Sequence, residues 1–401
     1  RFHMPHEDRP AGRPLKVSPL YVKLKNLGAN FTTINGWERV NYYIENKNFH
    51  ADLTFRYGNL HDVVKNEVEA VSSNLGMMEV NGFNRFEITG LGVHEWLDSI
   101  MCTKVPRRVG KVSLGYFLNE LGNIKGEATL VTKNDGSILY GSAAASEHHD
   151  MDWLKDHLPE DKSIKITSST NSYDVLVIAG PNSRSFLKVV SPQVDWDNFK
   201  WLTAQQILID QVPVFAMAVS FSGELAWELH VDFKFVDSVF EKLSQIGQNF
   251  NMAHFGSIAA ESMRIEKGYL HWKSDLITEY NPFETGIGRC LDMSKDFIGK
   301  KALENFTEND FRRSLVQIVI DDVKSAPQPG DSLFVNDKVI GTVTSSSFGY
   351  RVDKTLALAF LDPEFSIIGL KLKASYLNKL VDGTVISTGP YDKNNTKVKL
   401  N

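Results

Sequence analysis

Several things are scarce in this 401-residue chain, and each scarcity excludes a class of function. Cysteine occurs only twice, at Cys102 and Cys290, with no Cys-x-x-Cys spacing for a thiolate metal or redox centre. A reduced compartment is therefore expected, with a single Cys102–Cys290 disulfide left open. No apolar run approaches the roughly 20 residues that a membrane-spanning helix needs, so a soluble protein is expected. Positive charge is not in excess: a net charge of −5 gives no reason to expect nucleic-acid or membrane-surface binding. In SEHHD (146–150) the side chains of His148, His149 and Asp150 diverge, and no histidine pair at i, i+4 accompanies them. No metal site is expected, and the stretch reads as a surface turn. Two glycine-rich stretches, GLGVHE (90–95) and GIGRCL (286–291), lack the third glycine of a dinucleotide loop, so no flavin or nicotinamide site is expected in these residues. The first residues, RFHMPHEDRPAGRP, carry neither an initiator methionine nor a signal-peptide pattern; a processed polypeptide or a piece of a longer one is the expectation.

What is present reads as a globular protein. An apolar content of 42% with 23% charged residues suits buried cores, and the length exceeds what one core fills, so two or three domains are expected. Residues 1 to about 16 are rich in proline and charge and read as a linker. Short helical and strand-like pieces follow over 17–73, ending in HDVVKNEVEAV with Val63, Val64, Val68 and Val71 at helical spacing. FNRFEITG (83–90) alternates Phe83, Arg85 and Glu87 against Phe86 and Ile88, as a strand does. LGVHEWLDSIM spaces Leu91, Trp96, Leu97 and Ile100 like a helix. VPVFAMAVSF (212–221) has strand length, and DFKFVDSVFEKLSQIG follows as a helix with Asp232 as its N-cap. After about 310, RSLVQIVI, DSLFVNDKVIGTVTS, TLALAFL and LKLKASYL are short strands at close intervals, which predicts a separate small β-domain.

Two stretches carry candidate chemistry. In FSGELAWELH (221–230), Ser222-Gly223 predicts a turn, and the strand after it alternates. Leu225, Trp227, Leu229 and Val231 share one face, while Glu224, Ala226, Glu228 and His230 share the other. Glu224 and Glu228 would lie roughly 13 Å apart, too far to share a proton, which rules out a paired acid–base couple. Taken alone, this is the wet face of a strand. In HFGSIAAESMRIEKGYL (254–270), a helix is expected with Phe255, Ile258, Ser262, Ile265 and Tyr269 as one stripe. Arg264 lies on its flank between Ala260 and Gly268. Small neighbours would let a planar ligand approach the guanidinium fork; the competing reading is an intrahelical Glu261–Arg264 pair worth a few tenths of a kcal/mol.

GELAWEL, AAESMRIEKGYLHWKSDL and YNPFETGIGRCLDMSKDFIGKKAL, in this order and spacing, resemble the folate-binding aminomethyltransferase family that includes the glycine-cleavage T-protein. The resemblance covers roughly residues 70–390. RPLKVSPLYVKLKNLGANFTTINGWERVNYY (13–43) is similar, more narrowly, to the stretch joining the flavin and folate halves of dimethylglycine and sarcosine dehydrogenases. Arg13-Pro14-Leu15, Ser18-Pro19-Leu20 and Gly36-Trp37-Glu38-Arg39 carry that likeness.

The resemblance implies an α+β, three-domain cloverleaf around a folate channel, with a C-terminal β-barrel-like domain. Its divisions would be a linker from a missing flavin half (1–45), the folate-binding domains (46–305) and the barrel (306–401). It implies tetrahydrofolate as cofactor, with FAD only in the missing N-terminal half. Glu228 and Arg264 would bind the pterin, since a carboxylate accepts N–H bonds from an aminopyrimidine edge and a guanidinium addresses a carbonyl and ring nitrogen. Glu224 would shape the turn. Phe83, in VNGFNRF, and Tyr350, in SSSFGYRVDK, would line the folate cavity. Glu127, in GNIKGEATLVT (122–132), falls where the family often has a catalytic aspartate; the extra methylene, the preceding Lys125-Gly126, and Ala226 in place of a common glycine are departures. The implied reaction captures the methylene of an oxidised N-methyl amine, an iminium of dimethylglycine or sarcosine, as 5,10-methylenetetrahydrofolate. Its partner would be the flavin half, with no nucleic acid and no membrane, in the mitochondrial matrix of a eukaryote or the cytoplasm of a bacterium. The same resemblance admits two other classes: a non-catalytic relative like the regulatory subunit of pyruvate dehydrogenase phosphatase, and a stand-alone folate-dependent demethylase.

Overall fold

In the computed structural model, which describes residues 10–46, 48–321 and 324–400, two sheets and a barrel each organise a core. The first sheet has five antiparallel strands in the order Val112–Leu118, Ile124–Thr132, Ile138–Ser142, Asn84–Gly90 and Ile164–Ser168. Alternation sorts its side chains between two faces. Phe86, Ile88, Ala128, Leu130, Ile138 and Tyr140 point one way and pack under Val93, Leu97 and Ile100 of helix Val93–Ile100 and Leu154 of helix Glu147–Asp156. Arg85, Glu87, Glu127 and Thr129 therefore point the other way.

The second sheet runs Ala204–Ile209, Val212–Met217, Ala226–Asp232, Tyr173–Ala179, Gly76–Glu79 and Ala253–His254, antiparallel except for the last, parallel pair. The apolar face read from the sequence is the buried one: Leu225, Trp227, Leu229 and Val231 all join the largest core, with Phe186 and Leu187 of helix Ser183–Val190 and Val239, Phe240 and Leu243 of helix Val236–Gln248. Each such side chain contributes about 1.5–3 kcal/mol on burial.

The barrel closes six strands in the order Ser314–Ile320, Lys354–Leu361, Lys338–Gly349, Ser332–Val335, Lys371–Tyr376 and Lys379–Ile386 around Ile318, Leu333, Ile340, Ala357, Ala359 and Leu372. The expected α+β architecture with a C-terminal barrel is the one found.

Four local expectations are corrected. Strand Val212–Met217 pairs with Ala226–Asp232 through Met217↔Glu228, so residues 218–225 form a wide connection, not a tight turn at Ser222-Gly223. Asp232 ends a strand and accepts the Lys234 N–H at 2.9 Å; the helix begins at Val236 with Phe235 before it. SEHHD lies largely in helix Glu147–Asp156, because Asp150 is drawn inward by the Tyr140 hydroxyl at 3.0 Å and Ser142 Oγ at 2.6 Å. Residues 18–43 are no simple linker: helix Tyr21–Asn26 and the hairpin Ala29–Ile34/Trp37–Tyr43 bring Leu20, Leu24 and Val40 into the main core. Residues 1–9 of the expected linker lie outside the described residues.

Candidate functional site

The polar faces of the two sheets meet. Val112, Val131 and Leu139 of the five-stranded sheet pack on Ala204 and Met217 of the six-stranded one, with Phe215 alongside. Met217 lies directly across from Glu228, and Phe215 from His230, so Glu228 and His230 share the face that looks toward the first sheet. On the other side of Glu228, Ala226, Ala179 and Met78 are covered by helices Leu60–Ser73 and Ser257–Lys267 through Val64, Val68, Ala259 and Met263. Glu228 thus sits between two apolar contacts, and its side chain keeps 32% of its exposure.

The facing wall follows from register. Thr129 pairs with Gly141 and Gly141 with Arg85, which places all three, and Glu127 two residues earlier, on one face. Gly141 has no side chain to fill the space between Thr129 and Arg85; a Cβ there would meet only backbone oxygens at 3.7 and 3.9 Å. Arg85 crosses the gap: its Nη1 lies 3.0 Å from His230 Nδ1, and His230 Nε2 lies 3.2 Å from Glu228 Oε2. Behind it, Arg85 stands 4.2 Å over the Tyr173 ring and 3.5 Å from Glu87, which Lys133 holds at 2.9 Å.

Glu127 has a different environment. It faces Tyr116 across the strand pair, and the Tyr116 hydroxyl bonds its carboxylate. Burial pushes the Glu127 carboxyl up to about 7, with the Tyr116 bond opposing the shift. The same burial pushes the Tyr116 phenol well above its ordinary value, followed in effect by the Glu127 charge, so the hydroxyl remains a donor. Both cysteines are free thiols beside this pair: Cys102 donates to the Tyr116 carbonyl at 3.2 Å, and Cys290 feels the Glu127 charge.

Arg264 is enclosed, with no exposed side-chain surface. The helical pair with Glu261 is present, and Nη1 also reaches Asp275 Oδ2 at 2.6 Å and the Tyr269 carbonyl at 3.0 Å. The open approach past Ala260 and Gly268 is thus replaced by a guanidinium flanked by two carboxylates. Its Nε has no hydrogen-bond partner among the described residues. Phe83 is 43% exposed, with the Arg39 guanidinium 5.2 Å from its ring centre. Trp37 packs so closely on Gly82, at φ +72°, that a side chain there would strike the indole. The Gly36–Arg39 stretch therefore helps to set the loop that carries Phe83. Tyr350 packs on the apolar cluster that flanks Glu228, in a seam between the barrel and helix Leu60–Ser73, its hydroxyl 3.2 Å from His61 Nδ1 and its ring against Phe348.

Glu127, Glu228 and Arg264 do not hydrogen-bond to one another: Glu127 and Glu228 stand on the facing sides of the two sheets, and Arg264 lies in helix Ser257–Lys267. Sequence reasoning missed Tyr116, Arg85 and Asp275 as partners. Arg85 could have been found, since it occupies the polar side of a strand already read as alternating. Asp275 could not, because it reaches Arg264 through a loop without periodicity.

Glu224 is not a turn-shaping residue on a wet face. It is fully buried, and its Oε1 accepts Arg351 Nη1 at 2.7 Å and the Tyr391 hydroxyl at 2.6 Å. Arg351, from the barrel, also bonds Glu266 at 2.6 Å and the Met263 carbonyl at 2.7 Å, and lies 3.7 Å over the Tyr391 ring. Nearby, Gln317 donates to the Ile265 carbonyl at 2.7 Å and accepts the Gly389 N–H at 2.7 Å. The barrel thereby grips the end of the helix that carries Arg264.

Comparison with known proteins places this geometry. The GCVT N-terminal domain model matches residues 20–295, and the glycine cleavage T-protein C-terminal barrel domain model matches residues 313–392. Mitochondrial dimethylglycine dehydrogenase of Mus musculus is 30% identical over 390 residues, 95% of this chain and 44% of that protein. The mitochondrial pyruvate dehydrogenase phosphatase regulatory subunit of Mus musculus is 27% identical, over 89% of this chain and 42% of that protein. An aminomethyltransferase of Bacillus cytotoxicus is 25% identical over 94% of this chain and 99% of its own length. The chain spans a little under half the length of the first two. The crystal structure of the glycine cleavage system aminomethyltransferase T from Bartonella henselae shares the fold, with a TM-score of 0.81 at 19% identity over 94% of this chain and 99% of that one.

Proposed function

This chain belongs to the glycine-cleavage T-protein family of folate-dependent aminomethyltransferases, and from that premise we propose that it passes the methylene of an oxidised N-methyl amine, such as dimethylglycine or sarcosine, to tetrahydrofolate. Tetrahydrofolate, when bound, supplies the nitrogen that takes up the one-carbon unit. The donor set fits a pterin: Glu228 offers an oxygen not used by His230, Arg264 and Arg39 each hold a buried Nε without a partner among the described residues, and Phe83 offers an exposed ring. In this reading Glu228 and Arg264 hold the pterin edge and Phe83 flanks it. A place for Tyr350 in the cavity has less support, since its hydroxyl is occupied by His61.

Glu127 is the candidate acid–base group. With its carboxyl raised to about 7, it is present in both forms near neutral pH and can accept a proton and return it. When ionised it also faces a cationic iminium with negative charge in a partly enclosed site. A flavin-dependent half would supply that iminium, and mitochondrial relatives favour the matrix in a eukaryote.

The observation that carries this reading is a Glu228 carboxylate braced by His230 on one oxygen, with no hydrogen bond to the other from the described residues, on the face of its sheet that looks toward the sheet of Glu127. Titration calorimetry tests it: the chain should bind tetrahydrofolate, and E228A should weaken that binding. An unchanged affinity in E228A would sink the assignment of this site. Absence of folate binding altogether would favour the regulatory class that one relative represents.

A further inference from the structure

We propose that His230 is a positioning residue that fixes the orientation of the Glu228 carboxylate, and that Arg85, from the opposite sheet, sets which nitrogen of His230 carries the proton. The inference rests on Glu228 being a folate ligand, and it concerns what makes that ligand directional.

An arginine side chain has donors only. Arg85 Nη1 lies 3.0 Å from His230 Nδ1, so Nδ1 must accept, and the proton of a neutral ring sits on Nε2. That nitrogen lies 3.2 Å from Glu228 Oε2 and donates to it. The tautomer is thus chosen by a residue that does not touch Glu228. Burial, which disfavours the charged ring, lowers the His230 pKa; Arg85 acts in the same direction and Glu228 against it. Arg85 is itself held by Tyr173 and by Glu87, which Lys133 backs. The exposed fractions rise along the chain of contacts, from 7% for Arg85 to 12% for His230 and 32% for Glu228. The buried end is anchored by Arg85, and Oε1, which accepts no hydrogen bond from the described residues, is at the open end, as a ligand-directing group requires.

A residue that only joined two sheets would cost stability when removed and leave affinity alone. The experiment separates these. Tetrahydrofolate binding is measured by calorimetry on the full chain for wild type, E228A, H230F, H230Q and the double variant E228A/H230F. Phenylalanine keeps the ring and removes both bonds; glutamine keeps an acceptor for Arg85 and a donor for Glu228. Losing the brace should weaken binding about tenfold in H230F, with H230Q within about threefold of wild type and no further loss when H230F is added to E228A. Should H230F fail to fold, R85M reports on the same relay, weakening binding several-fold only while Glu228 is present. Wild-type affinity in H230F or R85M, with E228A weakened, would overturn this inference and leave the proposed function standing. Wild-type affinity in E228A would overturn both.

Discussion

Glu224 and Glu228 stand four residues apart in one segment, yet they live in opposite surroundings. Glu224 has no exposed surface and gives one oxygen to Arg351 and Tyr391 of the barrel region. Glu228 keeps a third of its exposure and has the neutral His230 ring on one oxygen. Glu224 precedes the first paired residue of the strand, Ala226, so the two-residue alternation that places Glu228 does not reach it. Equal chemistry at equal spacing says little about role. Glu224 also leaves one oxygen without a partner among the described residues. What separates the two is full burial against the Arg351 cation on one side and partial exposure beside His230 on the other.

The comparison breaks most visibly at Arg351. In R351A, Glu224 and Glu266 would be left buried without their cation, and stability should fall by about 3–5 kcal/mol. Chemical denaturation measures this; a loss under 1 kcal/mol would mean that the junction is far wetter than its contacts indicate. On the functional side, E127Q should leave folate affinity nearly unchanged and cut methylene transfer about a hundredfold or more. That assay needs a flavin half to supply the iminium, and formaldehyde release should rise as transfer fails. Transfer at the parent rate would make Glu127 a structural residue.

E228A sharpens the contrast with Glu224. Removal of a hydrogen bond from a charged group should weaken tetrahydrofolate by about 1.5–3 kcal/mol, while stability falls by no more than about 1 kcal/mol, as for a half-exposed position that loses its one bond to His230. A large fall in melting temperature would put Glu228 in the same structural class as Glu224. The smallest effect concerns pH. The Glu127 carboxyl is raised from 4.5 to about 7 by burial, so the folded protein holds a proton that the unfolded chain has released between those values. Its ionisation therefore destabilises the fold progressively as pH rises from about 4.5 to about 7, with the full cost above that. E127Q should accordingly gain on the order of 1–2 kcal/mol at pH 8 and nothing near pH 4.5, by urea titration at both. Equal stability at both pH values would mean that the carboxyl titrates normally.

Much of this was legible along the chain. The alternation of Leu225, Trp227, Leu229 and Val231 predicted a buried face, and all four lie in the main core. The close-spaced strands after residue 310 predicted a small β-domain, and the family resemblance implied that it is barrel-like. What was illegible depended on partners distant in sequence. Glu224 meets Arg351 127 positions later, and Arg264 meets Asp275 through an irregular loop. Asp150 turned a predicted surface turn into a docked helix because Tyr140 and Ser142 happen to face it. Local pattern fixes which way a side chain points, but not what waits there.

Gly141 has a consequence for how such a cleft can change. It lies on the wall between Thr129 and Arg85, and a methyl group there would touch only ordinary van der Waals neighbours. The strand can accept a methyl group at this position without moving its backbone or its partners. A single replacement therefore alters the width of the passage while the sheet stays as it is. Divergence in what the cleft admits is uncoupled, at this one residue, from the cost of rebuilding the fold.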